Sequence, residues 1–357
     1  MDKEYIAEAE KIEALLKEFL PAVPGAEWYS RVFPRLDIRP ELTESLLEPG
    51  RDLFSRGGKR WRPIMAHLVC RALGGGNAAL PLLPLVEFCH TASLIHDDLE
   101  DSSGQRRGKP TVHLLYGNDT AINAGAFLYF LPLTALEHWD VEAEDRNHLW
   151  QIWAEHLRFL HLGQSLDIAW HRDPAYFPSL EDYTLMSSLK TGCLARFAAL
   201  LGAETARISR KNSSPRKSDC EINEGLLASL GAAAQKLGVG FQILDDVKNL
   251  LTGIKGKERG DDVVEGKKSL PVLLFVQEDQ KNRASFVQRC FRAAQKGGVN
   301  IPEVEQFIDA LTDAGALAEA EKRGKNLIIE AGTAFSALPA VDKEAGRLLT
   351  SLTELLQ

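Results

Sequence analysis

Apolar residues recur along much of this 357-residue chain at intervals of three and four, the spacing that places them on one face of a helix. The pattern predicts six long helices, at residues 6–20, 80–101, 120–139, 149–170, 226–251 and 304–331. Stretches rich in glycine and proline separate them, as turns between helices should. Runs of alternating β-branched residues, which signal strands, are nearly absent. We therefore predict an all-α fold.

No repeat of fixed period divides the chain. Its most polar stretch, residues 211–219, is short enough to be an exposed loop between two helices. We predict a single all-helical domain over residues 1–357, with the segments that carry chemistry in a core at about 50–280.

Composition and charge narrow the class of protein. Hydrophobic residues make up 45% and charged residues 26% of the chain, which is typical of a water-soluble globular protein. A net charge of −8 argues against sequence-independent binding of nucleic acid, which needs a basic surface. The five cysteines are scattered without CxxC spacing, and the most apolar run, residues 121–136, is too short to span a bilayer. These features predict a cytoplasmic protein without a transmembrane segment.

A first acidic site lies at the end of the predicted helix 80–101. Asp97 and Asp101 are four residues apart and share a helical face, Asp98 lies beside them, and His90 is two turns earlier. Such carboxylates suit a hard cation. A lone DDxxD arises by chance about once in a chain this acidic, so a solvated surface is the alternative. The apolar residues upstream favour a core helix, where acids need a counter-charge or a metal.

A second acidic site follows in FQILDDVKNLLTG, residues 241–253. Gln242, Asp245 and Asn249 share one face of an otherwise apolar helix, and Asp246 is adjacent. Two acidic pairs on two core helices are much less probable by chance than one. Facing each other, they predict a cage of oxygen ligands for Mg²⁺, completed by water and substrate phosphates.

Basic residues occur at the points that would close this cage. They are Lys59 and Arg62 in GGKRWRP, Arg106 and Arg107 in a glycine-rich turn, Lys190 beside Thr191 in LKTG, and Lys257 and Lys267 in a loop. Each alone is more often a solvated side chain. Together with the acidic sites they indicate binding of phosphorylated substrates.

The chain resembles the trans-isoprenyl diphosphate synthases. The segments GGKRWRP, VEFCHTASLIHDDLED, RRGKPTVH, LKTG, FQILDDV and EGKKSLPVL occur in that family's order over residues 57–274. The eukaryotic-type geranylgeranyl diphosphate synthases are most similar, through YGNDTAINAGAFLYFLPL, HLGQSLDIAW and the DDxxN form of the second site. The resemblance implies a helical bundle around a central cavity and a homodimer.

The resemblance also implies residue roles. Isopentenyl diphosphate would be bound by Lys59, Arg62, His90 and Arg107, and the allylic diphosphate by Arg106, Lys190, Thr191, Gln242, Lys257 and Lys267. With substrate bound, three Mg²⁺ ions would be held by Asp97, Asp101 and Asp245, supported by Asp98 and Asp246. Asn249 departs from the family pattern, which often has a third aspartate there, and removes one negative charge from the second metal site.

Product length depends on what closes the cavity. Ala92 and Ser93, one turn before Asp97, are small, which argues against an early stop. Tyr129, Phe130 and His161 match the positions that form the floor in eukaryotic-type geranylgeranyl synthases, although core packing would also explain the two aromatics. We expect a twenty-carbon main product.

Three other functions fit less well. A class I terpene cyclase needs a hydroxyl and a glutamate where Asn249 and Gly253 stand. A head-to-head synthase would lack the basic pair Lys59 and Arg62, and a non-enzymatic subunit of a synthase would lose its aspartates.

Overall fold

The computed structural model describes residues 3–212, 221–253 and 258–357. Its N-terminal helices are α1 Lys3–Phe19, α2 Ala26–Val32, α3 Glu44–Ser55, α4 Trp61–Ala72, α5 Pro84–Glu100, α6 Val112–Tyr116, α7 Asn118–Phe130, α8 Leu133–Glu137 and α9 Ala143–Arg172. The remaining helices are α10 Leu180–Ser187, α11 Cys193–Asn212, α12 Glu224–Leu251, α13 Asp261–Glu265, α14 Leu270–Glu278, α15 Gln280–Gly297, α16 Pro302–Asp313, α17 Ala316–Ser336 and α18 Lys343–Glu354. The all-α prediction is confirmed.

Two predicted helices are each divided in the structure. The segment 120–139 forms α7 and the separate short helix α8, which begins just after Pro132. Proline has no amide hydrogen and its ring clashes with the preceding turn, so a helix rarely continues through it. The segment 304–331 forms α16 and α17, separated at Gly315, whose φ of +71° is left-handed. The other four predicted helices lie within a few residues of α1, α5, α9 and α12.

The hydrophobic pattern of the sequence does not predict helix α4. Nearly every residue from Trp61 to Ala72 is buried, including the polar His67. A helix buried on all sides has no polar face, so its sequence lacks the periodicity that identifies an amphipathic helix. Its position, packed against α11 and α5, brings the basic GGKRWRP segment beside the first acidic helix.

Helix α12 contributes to both of the main apolar clusters of the described residues. Leu227, Leu237 and Leu244 belong to a large cluster built with the N-terminal helices. Ile243 and Val247 belong to a second cluster with the helices of the C-terminal third. Because α12 is buried on several faces, its polar residues Gln242, Asp245 and Asp246 are carried into the interior of the protein.

Within the described ranges, no helix is both long enough and apolar enough to cross a membrane.

Candidate active site

A cavity of about 620 Å³ lies between α4, α5, α9 and α12. It brings together most of the predicted site residues: Lys59, Arg62, His90, Ser93, Asp97, Arg106, Arg107, Lys190, Thr191, Gln242, Asp245, Asp246, Lys267 and also Asn249. The predicted residues that do not line it are Ala92, Asp98, Asp101, Tyr129, Phe130 and His161. Lys257 lies outside the described residues.

One end of the cavity, the cationic end, is formed by Lys59, Arg62 and Arg107. Within the described part of the chain none of the three makes an ion pair with a carboxylate. Burial lowers the pKa of Arg62 and the pKa of Arg107 to about 10 each. The charge of nearby Glu87 raises both pKa values, but burial outweighs it. Arg62 is buried and Arg107 half-buried, and neither is neutralised by a paired carboxylate among the described residues, a state that a bound anion would stabilise.

His90 stands beside the cationic end on α5. Its Nε2 is 3.4 Å from Arg62 Nη1. Burial, followed by the charges of the surrounding arginines, lowers the pKa of His90 well below its usual value. The imidazole is therefore neutral at physiological pH and contributes hydrogen bonding rather than charge to this end of the cavity.

A tight hairpin carries Arg106 and Arg107. Residues Gln105–Arg106 pair in antiparallel register with Lys109–Pro110, and the two turn residues, Arg107 and Gly108, have φ of 55° and 79°. Two-residue hairpins favour such left-handed turns because their twist matches that of the strands. Arg107 donates to the carbonyl of Gly57, whereas Arg106 turns the other way, toward α5.

The opposite end of the cavity, the mixed end, interleaves acids with bases. It comprises Asp97, Arg106, Lys190, Asp246, Asp262 and Lys267. Lys190 Nζ donates to Asp97 Oδ1 at 2.9 Å and to Asp167 Oδ2 at 2.5 Å. Burial raises the pKa of Asp97, but Lys190, Lys267 and Arg106 outweigh it and hold that pKa below its usual range. Asp97 is therefore ionised.

Asp98 faces away from the cavity. Its side chain is fully buried, and Oδ1 accepts from Arg106 Nε at 2.8 Å and from Nη2 of the same guanidinium. In this structure Asp98 orients Arg106 instead of offering its oxygens to a ligand in the cavity. Such an orienting carboxylate fixes the direction in which the guanidinium points.

Lys190 and Thr191 lie in a single π-helical turn, Ser188–Gly192, between α10 and α11. The turn packs so closely on α9 that a Cβ at Gly163 would come 2.3 Å from the Lys190 nitrogen. On its other side, a Cβ at Gly238 of α12 would come 2.9 Å from the Cα of Gly192. Glycine at these contacts lets two helices clamp the turn, which directs Lys190 and Thr191 into the cavity.

A chain of hydrogen bonds joins this turn to the second acidic site. Thr191 Oγ1 donates to Gln242 Oε1 at 2.9 Å, and Gln242 Nε2 donates to Asp246 Oδ1 at 2.8 Å. Burial, with the nearby charge of Asp262, raises the pKa of Asp246 to about 7. Asp246 is thus a carboxylate whose ionised form would be favoured by additional positive charge in the cavity.

Comparison with known proteins gives the family. The profile described as Polyprenyl synthetase matches residues 43–309. The chain belongs to the polyprenyl synthetase family. It is 32% identical over 312 residues to a geranylfarnesyl diphosphate synthase of Aeropyrum pernix, covering 85% of this chain and 91% of that protein. This member of the family is therefore a prenyltransferase, an isoprenyl diphosphate synthase.

Two further relatives of this synthase are informative. A geranylgeranyl pyrophosphate synthase of Eremothecium gossypii is 30% identical over 318 residues, covering 87% of this chain and 93% of that one. A polyprenyl synthase of Caulobacter crescentus, solved with calcium and isoprenyl diphosphate, is 25% identical with a TM-score of 0.74, covering 99% and 96% of the two chains. The products that relatives are named for differ, so family membership leaves this synthase's product length open.

The donor set of the synthase fits a divalent cation. Asp101 Oδ2 is buried and has no hydrogen-bond partner among the described residues. Burial, with the charges of Asp97 and Glu265, raises the pKa of Asp101 to about 8. No three acidic, histidine or cysteine side chains of the described ranges converge on one point. The unpartnered Asp101 oxygen suits Mg²⁺, an ion that takes one or two carboxylates and fills its shell with water and phosphate oxygens.

Asn249 has a structural role that the sequence does not reveal. Its side chain is buried, its Nδ2 donates to the Glu258 carbonyl at 3.3 Å, and its Oδ1 accepts from the Asp262 amide at 3.3 Å. The two bonds tie the segment that carries Asp262 and Lys267 to the end of α12. A carboxylate at 249 could accept but could not donate to the carbonyl.

Sequence reasoning missed several residues of the site. Gln164 Nε2 donates to Asp97 at 3.0 Å and to Glu100 at 2.7 Å, and Asp167 holds Lys190. Their i, i+3 spacing in HLGQSLDIAW was a usable signal. Asp262, which lies 3.4 Å from Lys267 Nζ, had only a weak signal because it follows another aspartate in an exposed-looking loop.

The predicted chain-length residues are only partly brought together. Ser93 lines the cavity and Ala92 is fully buried behind it. Tyr129 is buried, and its ring lies 5.2 Å from that of His161. His161 itself is exposed. Phe130 departs from the expectation, because its side chain is 62% exposed and its ring lies 6.5 Å from Trp153. Successive residues of a helix point about 100° apart, so the faces of Tyr129 and Phe130 differ.

Proposed function

We propose that this synthase joins isopentenyl diphosphate head-to-tail to an allylic diphosphate (dimethylallyl, geranyl or farnesyl) and releases diphosphate. One observation carries the proposal: a single cavity has a cationic end, whose three basic side chains form no ion pair with a described carboxylate, and a mixed end rich in carboxylates. The first suits an anion bound directly by side chains. The second suits an anion bound together with divalent cations.

The cationic end would hold isopentenyl diphosphate. Lys59, Arg62 and Arg107 supply the charge, and neutral His90 supplies a hydrogen bond. Arginine forks match the oxygens of a diphosphate in pairs, which fixes the orientation of the substrate as well as its affinity. This substrate keeps its diphosphate throughout the reaction, so its site needs no group that stabilises a leaving anion.

The mixed end would hold the allylic diphosphate. Lys190, Lys267 and Arg106 would contact its oxygens, with Asp97, Asp101 and Asp245 as ligands to Mg²⁺ and Asp98 and Asp246 in support. Three ions with substrate bound suit this number of carboxylates. When bound, Mg²⁺ would neutralise negative charge on the diphosphate. Lys257 belongs to the same proposed set and lies outside the described residues.

The chain's own residues then direct the reaction. Lys190, Lys267 and Arg106 stabilise the diphosphate as its bond to the allylic carbon breaks. Thr191 donates to Gln242, so the hydroxyl oxygen of Thr191 keeps lone pairs that stabilise the carbocation. The double bond of isopentenyl diphosphate attacks that carbon and forms the new carbon–carbon bond. The resulting cation loses a proton to the released diphosphate, which restores a double bond.

We propose geranylgeranyl diphosphate as the main product. Small Ala92 and Ser93 leave room for the growing chain beside α5, and Leu94, Leu160 and Leu194 supply an apolar lining. Tyr129 is buried beyond this lining, where its ring packs between those of His96 and His161 at 5.7 and 5.2 Å. These three tilted rings are the proposed floor.

A second copy of the chain is the proposed macromolecular partner. Helices α7 and α9 expose large apolar side chains, with Ile122 and Phe130 on α7 and Trp150 and Leu162 on α9 all at least half exposed. Exposed apolar side chains of this size, on two helices that meet where the Phe130 ring lies 6.5 Å from that of Trp153, favour an interface here. We expect Phe130→Glu with Trp150→Glu to convert a dimer to a monomer in light scattering. Retention of the dimer would reject this face as the interface.

We propose the cytoplasm as the compartment. Cys70, Cys89, Cys193 and Cys290 are buried free thiols, and none of the described cysteines forms a disulfide. Buried thiols in a helical core suit a reducing environment.

The proposed reaction is tested by incubating the purified protein with labelled isopentenyl diphosphate, each allylic diphosphate in turn, and Mg²⁺. The products are then dephosphorylated and sized by chromatography. We expect incorporation with all three allylic substrates, a twenty-carbon main product, and loss of activity on chelation. Cyclic hydrocarbon products or incorporation that survives chelation would overturn the proposal.

A further inference from the structure

Arg60 is a buried residue of the basic segment that no motif assigned. It lies between Lys59 and Arg62 with a φ of 48°, in the left-handed region that residues other than glycine rarely adopt. Its side chain is 5% exposed and lines the cavity together with those two neighbours. A backbone conformation of this kind persists where surrounding contacts hold it.

Three elements hold the Arg60 guanidinium. Its Nε donates to Glu13 Oε2 of α1 at 2.8 Å, its Nη1 to Glu87 Oε1 of α5 at 2.5 Å, and its Nη2 to the Phe54 carbonyl at 2.7 Å. The guanidinium carbon also lies 4.1 Å above the Phe54 ring. Charge-assisted bonds in a buried setting fix geometry strongly, because each partner would be costly to leave unpaired.

The contact with Glu13 links the N-terminal helix to the cavity. Helix α1 is anchored independently through Ile12 and Leu16, which are fully buried, and through Phe19, whose ring lies 5.5 Å from that of Phe88. Glu13 is half-buried, and its other basic neighbour is Lys17 at 3.6 Å. Removing the Glu13 carboxylate should therefore release one bond of Arg60 while the helix stays in place.

Arg60 has two carboxylate partners, and they are not equivalent. Glu87 lines the cavity itself and its charge favours the charged form of Arg62. A change at Glu87 would therefore alter the field at the cationic end as well as the position of the loop. Glu13 does not line the cavity, so a change at Glu13 reports on positioning alone.

We propose that Glu13, acting through Arg60, is a positioning residue that sets Lys59 and Arg62 for isopentenyl diphosphate, which makes the N-terminal helix α1 part of that substrate's site. The inference rests on the proposed assignment of the cationic end. Misplacement of groups that bind substrate lowers affinity for that substrate without changing the bond-breaking step at the mixed end.

The test is steady-state kinetics of Glu13→Ala and Glu13→Gln in the full chain, varying each substrate at saturation of the other. We expect the KM for isopentenyl diphosphate to rise roughly three- to tenfold in Glu13→Ala and less in Glu13→Gln, which keeps an acceptor oxygen. The kcat and the KM for the allylic substrate should stay within about twofold. Glu10→Ala, at an exposed position of the same helix, is the matched control and should match wild type.

Two further variants separate the possible failures. Arg62→Ala must raise the KM for isopentenyl diphosphate; if it does not, the assignment of the cationic end is wrong. If Arg62→Ala does so and Glu13→Ala leaves that KM unchanged, or raises both KM values equally, only the positioning role is rejected. Glu13→Ala should add nothing to Arg60→Gln, because the first acts through the second. Should Arg60→Gln fail to fold, the kinetics of the Glu13 variants still decide whether Glu13 has the positioning role.

Discussion

Lys190 and Asp97 are 93 residues apart in sequence, yet the Lys190 ammonium lies 2.9 Å from the Asp97 carboxylate at the centre of the mixed end. Each is also bound to a second partner, Lys190 to Asp167 and Asp97 to Gln164. The pair joins the π turn after α10 to the end of α5. Charge neutralisation inside the cavity therefore depends on the relative positions of α5, of α9, which carries Asp167 and Gln164, and of the π turn.

The paired acidic sites predict loss of turnover on removal of either one. Asp97→Ala and Asp245→Ala should each lower kcat by at least about a hundredfold, since ligands and their close supports typically matter this much. Circular dichroism should show the helical fold intact. Asp309→Ala, an exposed acid on α16, is the control. Near-normal turnover in a folded Asp97→Ala enzyme would refute the metal role.

The divergence of Arg106 and Arg107 predicts a division of labour. Arg107→Ala should mainly raise the KM for isopentenyl diphosphate, because Arg107 belongs to the cationic end. Arg106→Ala should mainly impair the allylic substrate and lower kcat, because Arg106 is held by Asp98 beside Asp97. Equal effects of both variants on both substrates would remove the distinction between the two ends.

The bonds of Asn249 predict that restoring the aspartate common in the family is harmful here. Asn249→Asp loses the donor to the Glu258 carbonyl and adds a negative charge close to Asp262. We expect destabilisation by about 1–3 kcal/mol, typical of a buried polar group left without its partner, and lower kcat. Thermal unfolding with and without Mg²⁺ measures this. Higher activity and an unchanged melting temperature would contradict the structural role.

The different surroundings of Tyr129 and Phe130 predict different effects on product length. Tyr129→Ala should open the proposed floor and shift the main product to longer chains, since it removes a buried ring. Phe130→Ala should leave product length unchanged, because this side chain faces outward. Sizing the dephosphorylated products compares them directly, with Ser93→Phe expected to shorten the product. A longer product from Phe130→Ala alone would place that ring at the floor.

Buried Lys268 predicts a pH-dependent stability. Its Nζ donates to the Gly266 carbonyl and lies 5.0 Å above the Phe291 ring, and burial lowers its pKa from 10.5 to about 8. The folded state therefore holds this proton less tightly than the unfolded state does. Below about pH 8 Lys268 is charged in both states, and burying that charge lowers the free energy of unfolding. The penalty, roughly 3 kcal/mol, should disappear as pH rises from 8 to 10.5.

Lys268→Met isolates this effect. The variant's advantage in unfolding free energy over wild type should be largest at pH 7 and smallest near pH 10.5, by denaturant titration at each pH. The other charges near Lys268, Asp167 and Asp173, are unchanged in the variant. A difference in stability that does not vary with pH would show that the folded protein holds Lys268 at its ordinary pKa.

The sequence alone determined the helical class and most of the residues that meet in the cavity. Periodic apolar positions report the local backbone, so α1, α5, α9 and α12 were predictable. Asp97 and Asp245 could be singled out because acids on apolar helices need a partner. The buried helix α4 could not be predicted in this way, since a helix without a polar face shows no periodic alternation of apolar and polar residues.

The tertiary structure decided which groups pair and which face outward. Asp98 binds Arg106 instead of facing the cavity, Asn249 fastens a loop, and Phe130 lies outside. Glu13 reaches Arg60 across 47 residues of sequence. These outcomes depend on how helices approach and rotate against one another, as where Gly163 admits the Lys190 turn. Side-chain periodicity describes one helix at a time, whereas approach and rotation arise from packing between helices.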